Sequence, residues 1–290
     1  MFRVDLLQNK RILVTGGGTG IGNAMATRFA QLGARVYIAS RRRSMIEESA
    51  RQMAEATGAE VTGLVVDVRH PDQVEALIEM IWDDGGPLTG LVNSAAGNFI
   101  ARTEDVSVNG FHALTDIQFR GPFYVTTACG RRWIREGIKA NVVSVVDAGV
   151  WGGDPFAVPA TMAKAGLENM TKSLAIEWAR YGIRLNAVAS GVFRTEGSAT
   201  RLDPLTERGW NGANNPMGRI GELEEMGNLG AFLMADGVDF LTGQTVAIDG
   251  GAFIATGATF TSLLALDDAD WAAIKHSSRA ATDAQKTQRA

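Results

Sequence analysis

At 290 residues, 46% hydrophobic and 21% charged, the chain has the composition of an ordinary globular protein with ample core material. Its formal net charge of −4 argues against a nucleic-acid partner, and no apolar run approaches the roughly 20 residues of a membrane-spanning helix. A single cysteine, Cys129, leaves no intramolecular disulfide and fits a reducing compartment. The N-terminal residues lack a signal-peptide core and the C-terminal Gln288-Arg289-Ala290 is not a peroxisomal address, so the expected location is cytoplasmic. His70, His112 and His276 are scattered, without metal-ligand spacing.

In chain order, the apolar run Ile12-Leu13-Val14-Thr15 reads as a buried strand. Glycines follow at 16, 17, 18, 20 and 22, and then Ile21, Ala24, Met25, Phe29 and Leu32 recur at helical spacing. A strand, a glycine turn and a helix N-terminus in succession make a phosphate cradle: glycine permits positive φ and close approach, and the first-turn N–H groups have no partner within the helix. Gly16, Thr19, Gly20, Ile21 and Gly22 are therefore candidate cofactor contacts. The spacing Thr15-Gly16-x3-Gly20-x-Gly22 resembles the opening motif of the short-chain dehydrogenase/reductase family, a likeness that extends over residues 8–252.

The second strand, Arg35 to Ala39, runs into Ser40-Arg41-Arg42-Arg43. An NAD site places an acid at this strand end, to hold the ribose 2′-hydroxyl. Here Ser40, Arg41 and Arg42 suit the 2′-phosphate of NADP(H), through charge-assisted guanidinium contacts. The plainer alternative is a solvated basic turn whose arginines pair with Glu47 and Glu48. A third strand, Glu60 to Val66, ends in Asp67-Val68. The resemblance puts that acid at the adenine edge; alternatively Asp67 caps the helix that carries Val74, Leu77, Ile78 and Ile81.

The fourth strand, Gly90 to Asn93, leads into Ser94-Ala95-Ala96-Gly97-Asn98-Phe99. The small residues Ala95, Ala96 and Gly97 stand where the family lies against the cofactor's nicotinamide ribose. A-A-G-N-F, together with Ser198 to Pro204 and its R-L-D-P, resembles the NADPH-dependent 2,4-dienoyl-CoA reductase subgroup.

Most of the family carries a tyrosine four residues before an active-site lysine. This chain reads Ala160-Thr161-Met162-Ala163-Lys164, so the phenol is missing while Lys164 remains. Ketone reduction creates an alkoxide that needs a proton at oxygen. Conjugate reduction of a dienoyl thioester instead places charge on an enolate oxygen, which hydrogen-bond donors stabilise, and the proton goes to carbon. Under the resemblance, Gln118 stands for the family's helical asparagine, with Arg120 as a second candidate. Ser144, read as the end of the fifth strand (Asn141 to Ser144), stands for the catalytic serine, with Asp147 as an alternative polar group in the turn beyond. Lys164 could simply snorkel from its apolar helix; its family position implies a cofactor and catalytic role.

The sixth strand, Ile183 to Ala189, is followed by Gly191, Val192 and Thr195, which in the family meet the nicotinamide carboxamide and pyrophosphate. Residues 195–220 show little periodicity and suit a substrate lid. A helix from Leu223 to Met234 and a strand from Gln244 to Ile248 close the pattern. Strand–helix alternation without a break implies one doubly wound α/β domain over residues 1–257 with a parallel sheet. The tail, 258–290, carries a short helical pattern over 267–274, and its last dozen residues have a disordered composition. The resemblance implies a homotetramer built on helices near 121–136 and 160–180. It also implies an NADPH-dependent enzyme acting on an acyl-CoA. Two other readings stay open: a short-chain oxidoreductase for a keto-acyl, steroid or sugar substrate with an unusual proton donor, and a silent dinucleotide-binding protein.

Overall fold

The computed structural model describes residues 1–195, 215–258 and 260–277. The substrate-loop segment 198–204, most of the expected lid and the last dozen residues lie outside the described residues.

Seven parallel strands form one sheet in the order β3-β2-β1-β4-β5-β6-β7. They are β1 (Arg11–Thr15), β2 (Arg35–Ser40), β3 (Val61–Val65), β4 (Gly90–Asn93), β5 (Ala140–Asp147), β6 (Ile183–Ser190) and β7 (Thr245–Ile248). The helices are α1 (Gly20–Gln31), α2 (Arg43–Thr57), α3 (Pro71–Asp83), α4 (Val108–Thr115), α5 (Gly121–Glu136), α6 (Gly149–Gly152), α7 (Val158–Trp178), α8 (Leu223–Met234) and α9 (Ala252–Ala255). Residues 268–277 are also helical. No described helix is long and apolar enough to cross a membrane.

Helices cover both faces because successive strand residues point to opposite sides. Ile12 and Val14 pack with Phe29, Ile46 and Met226 on the face of α1, α2 and α8. Leu13, between them, packs with Ile78, Leu91 and Trp133 on the face of α3 and α5. The Trp133 indole is fully buried and donates to the Leu88 carbonyl at 2.7 Å, so its polar atom is satisfied inside the core.

Thr15 pairs with Ala39 on one side and with Asn93 on the other. The chain therefore leaves β1 in one direction and returns on its far side at β4. That reversal opens a crevice at the carboxyl ends of the strands, where this fold class binds ligands.

One boundary differs from expectation in a way that matters. Strand β5 runs three residues past Ser144, to Asp147, because Val145 and Val146 continue the β-branched run and pair with Val188 and Ala189 of β6. Ser144 is thus mid-strand and Asp147 is the strand end, paired with Ser190.

Candidate active site

The turn between β1 and α1 is built from glycines, two of which, Gly16 and Gly22, no other residue could replace without movement. Gly16 (φ +71°) lies so close to the β4 loop that a Cβ would sit 2.8 Å from the Ala95 backbone and the Ser94 carbonyl. A Cβ on Gly22 would meet the Gly16 carbonyl at 2.6 Å. The N-cap residue of α1, Thr19, makes no side-chain cap bond, and the first turn holds no acid, so its N–H groups face a site suited to anions. Thr195, beyond β6, closes over Gly20.

At the end of β2 the arginines divide. Arg41 and Arg42 line the cleft, whereas Arg43 pairs with Glu47 at 2.9 Å and takes the solvated role. Ser40 lines the cleft too, and its buried hydroxyl has no partner among the described residues. An orphaned donor beside two arginines, with no acid on this strand end, fits a 2′-phosphate. NADPH should accordingly bind at least about tenfold tighter than NADH, and Arg41→Ala should remove most of the difference. Fluorescence titration with both cofactors measures this, and equal wild-type dissociation constants would contradict it.

Asp67 and Val68 line the cleft on the side of β2 and β3. Asp67 does not cap the following helix, since His70 precedes its first residue, Pro71. Its carboxylate is instead gripped by Arg69 through Nε and Nη2, which holds it below the usual carboxylate range. Met45, in the first turn of α2, closes over Gly18; nothing in its sequence context distinguished it.

At the opposite end, Ala95, Ala96 and Gly97 line the cleft with Gln118, Asp147, Lys164 and Ser190. Gln118 is delivered by a π-helical turn, Asp116–Arg120, inserted between α4 and α5. Such bulges turn a side chain off the regular helical stripe. The buried Gln118 donates from Nε2 to the Gly97 carbonyl at 2.7 Å, which keeps the amide in the cleft wall. Arg120, the other candidate, points outward to Asp116 and Tyr124 and is mostly exposed.

Lys164 is buried, and its ammonium donates to the Val145 carbonyl. Burial pushes its pKa down to about 8, and the Asp147 carboxylate pulls in the other direction. A snorkelling lysine would keep its head in water, so the snorkelling alternative does not describe it. Ser144 corrects the expectation of a strand-end residue: it is fully buried, its hydroxyl is unpartnered, and Asp147, not Ser144, lines the cleft. Gly191 and Val192 are also displaced from the cleft wall. Gly191 packs on Asp249, and Val192 lines a neighbouring hollow with Phe193.

None of the three tyrosines lines the cleft. Tyr37 is buried between Arg11 and Asp84 with its phenol pushed up to about 12 by burial. Tyr124 meets Arg120, and Arg180 lies over Tyr181. Ala160, where the family's phenol would stand, is buried.

A doubly wound sheet with a glycine cradle at its switch point, and a buried lysine at the far end of the same cleft, defines a Rossmann-type dinucleotide-dependent oxidoreductase. Residues 16–252 match the family described as enoyl-(acyl carrier protein) reductase, and the chain belongs to that branch of the short-chain dehydrogenases/reductases, which bind NAD(P). A Caenorhabditis elegans protein named "Probable 2,4-dienoyl-CoA reductase", (3E)-enoyl-CoA-producing, is 42% identical over 256 residues, 87% of this chain and 82% of the relative. The crystal structure of a short-chain dehydrogenase from Bacillus anthracis superposes with a TM-score of 0.76 at 37% identity, covering 85% of this chain and 97% of that one. A gluconate 5-dehydrogenase from Burkholderia cenocepacia, in complex with NADP and tartrate, gives a TM-score of 0.80 at 30% identity, covering 88% and 99%.

Proposed function

We propose that the protein is an NADPH-dependent reductase of 2,4-dienoyl-CoA thioesters that yields a (3E)-enoyl-CoA. The observation that carries this reading is a cleft that keeps Lys164 and Gln118 but has no phenol at position 160. The name of the 42% identical worm relative supports the same substrate class and product.

NADPH, when bound, supplies the hydride. The glycine cradle would hold its pyrophosphate, and Ser40, Arg41 and Arg42 its 2′-phosphate. Lys164 would hold the nicotinamide ribose. The same ammonium offers positive charge to a thioester oxygen as it becomes an enolate, and the second Nε2 hydrogen of Gln118, beyond the one given to Gly97, offers a hydrogen bond. Neither group needs to part with a proton. An enolate stabilised at oxygen is protonated at carbon, and protonation at the α carbon leaves the double bond between the β and γ carbons.

A second reading, keto-group reduction, draws on the gluconate 5-dehydrogenase neighbour. It requires a proton donor at oxygen, and the missing phenol weighs against it. The comparison that tests the two is NADPH oxidation with 2,4-hexadienoyl-CoA beside oxidation with gluconate-type and simple ketones. Turnover on the thioester and none on the ketones is expected; the reverse pattern would overturn the assignment.

We also infer a homotetramer packed through α5 and α7. Phe123 on α5 and Met162 and Ile176 on α7 are large apolar side chains left exposed on the single chain, as an assembly face requires.

A further inference from the structure

We propose that Asp147 is a further catalytic residue, whose carboxyl delivers the proton to the α carbon, and that Asp154 is its positioning residue. This rests on the dienoyl-CoA reading above. That reading leaves the proton without a source, since no tyrosine lines the cleft, Ser144 is turned into the core and an amide such as Gln118 is not an acid.

Asp147 is the last residue of β5 and lines the cleft beside Lys164 and Ser190. Its Oδ1 accepts from the Gly149 N–H at 3.1 Å, and its Oδ2 has no hydrogen-bond partner among the described residues. The fixed oxygen anchors the side chain, and the other is left to carry a proton. Gly149 also makes room for a second carboxyl. A Cβ there would sit 2.9 Å from Asp147 Oδ1 and 3.2 Å from Asp154 Cβ, so only a glycine lets the two side chains share this space.

Lys164 from α7 is the charged group that acts on the Asp147 carboxyl, Asp147 in turn acts on Asp154 in the loop before α7, and β6 presents the neutral Ser190. Burial raises the Asp147 carboxyl above its ordinary range, and Lys164 opposes that. Asp154 is raised by partial desolvation at its inner side and then by Asp147. Two carboxyls in one space resist joint ionisation, which favours one retained proton. Asp154 is exposed, so this pair of carboxyls is open to solvent on its side.

The step balances. Hydride adds at the δ carbon and the electron pair moves through the diene onto the thioester oxygen. The enolate then collapses as the Asp147 O–H bond breaks and a C–H bond forms at the α carbon. Asp147 is left as a carboxylate facing the Lys164 ammonium and takes a new proton from solvent by way of Asp154.

The experiment compares wild type, Asp147→Asn, Asp147→Glu and Asp154→Asn with NADPH and 2,4-hexadienoyl-CoA over a pH series. Beside it, carboxyl carbon NMR follows the titration of Asp147 in the cofactor-free protein. Asp147→Asn should lose about a hundredfold in kcat, the scale of one positioned general acid, while binding NADPH as wild type does. Asp147→Glu should recover part of the loss. The neutral carboxyl is the working form, so turnover is present at low pH and falls as pH rises through the Asp147 pKa. Asp154→Asn removes the neighbouring negative charge and should shift both that fall and the NMR titration to lower pH. An Asp147→Asn variant with kcat near wild type overturns the proposal. So does an Asp154→Asn variant whose NMR titration moves while its kcat profile does not. Should Asp147→Asn fail to bind NADPH, the Asp147→Glu and Asp154→Asn profiles decide in the same way. A wild type that turns over while Asp147→Asn is unimpaired removes this proposal alone. A wild type inactive on the thioester removes the dienoyl-CoA reading and this proposal with it.

Discussion

Replacing Lys164 with alanine is expected to lower kcat on 2,4-hexadienoyl-CoA by about 10²–10³, or ~2.7–4 kcal/mol, the scale of one preorganised donor at a developing oxyanion. The lysine is buried and fixed on the Val145 carbonyl, so its charge acts where water screens little. Lys164→Met makes the sharper control, because it keeps the packed stem and removes only the charge. That variant should fold at least as well as wild type, since the cost of burying an ammonium disappears with it. The pH dependence has a definite sign. Burial depresses the lysine pKa to about 8, so the ammonium is present below that pH and lost above it. NADPH affinity should therefore weaken as pH rises through about 8 in wild type and stay flat over that range in Lys164→Met. Titration of cofactor binding across that range reads this without any turnover. A Lys164→Ala enzyme with wild-type kcat would make the lysine structural.

Gly16→Val is expected to weaken NADPH binding at least about a hundredfold and to destabilise the fold by about 2–4 kcal/mol. Two costs add. The residue holds φ +71°, a conformation a β-branched side chain resists, and its Cβ would press at 2.8 Å on the Ala95 backbone. Backbone on the opposing side cannot rotate away as a side-chain tip can. Denaturant unfolding and cofactor titration on the same preparation check both effects. Gly58→Ala supplies the comparison: it also has positive φ (+71°), but nothing lies within 4 Å of its Cβ. That variant should destabilise the fold by about 1–2 kcal/mol and leave NADPH binding intact. Cofactor binding retained by Gly16→Val would mean that the β1–β4 crevice is not where the pyrophosphate lies.

The sheet was legible because each strand is a short, near-continuous apolar run, as burial on both faces demands. Helix Leu223–Met234 and strand Gly90–Asn93 have the boundaries their sequence patterns indicate. The glycine cradle and the Ser40-Arg41-Arg42 turn were legible because their chemistry is contiguous in sequence. Ser144 was misplaced because a serine inside an apolar run looks the same whether the strand stops or continues. Only pairing of Val145 and Val146 with β6 decides it. Gln118 could be named but not oriented, since a π-helical turn changes which face a residue occupies without any reliable local signature. Met45 carried no signal at all, because its place over Gly18 depends on how α2 docks against the cradle.

The π-helical turn has a second effect, on phase. It adds one residue to what is otherwise a continuous helical path from Val108 to Glu136, so α5 is rotated by roughly 100° relative to an uninterrupted continuation of α4. The same inserted residue thus aims Gln118 inward and fixes which stripe of α5 looks outward, where Phe123 is exposed. Deleting a single residue from this turn would not merely shorten the helix. It would swing the amide out of the cleft and turn the outer apolar stripe away from its present bearing in one stroke, so the cleft and the outer face of this helix share one angular setting.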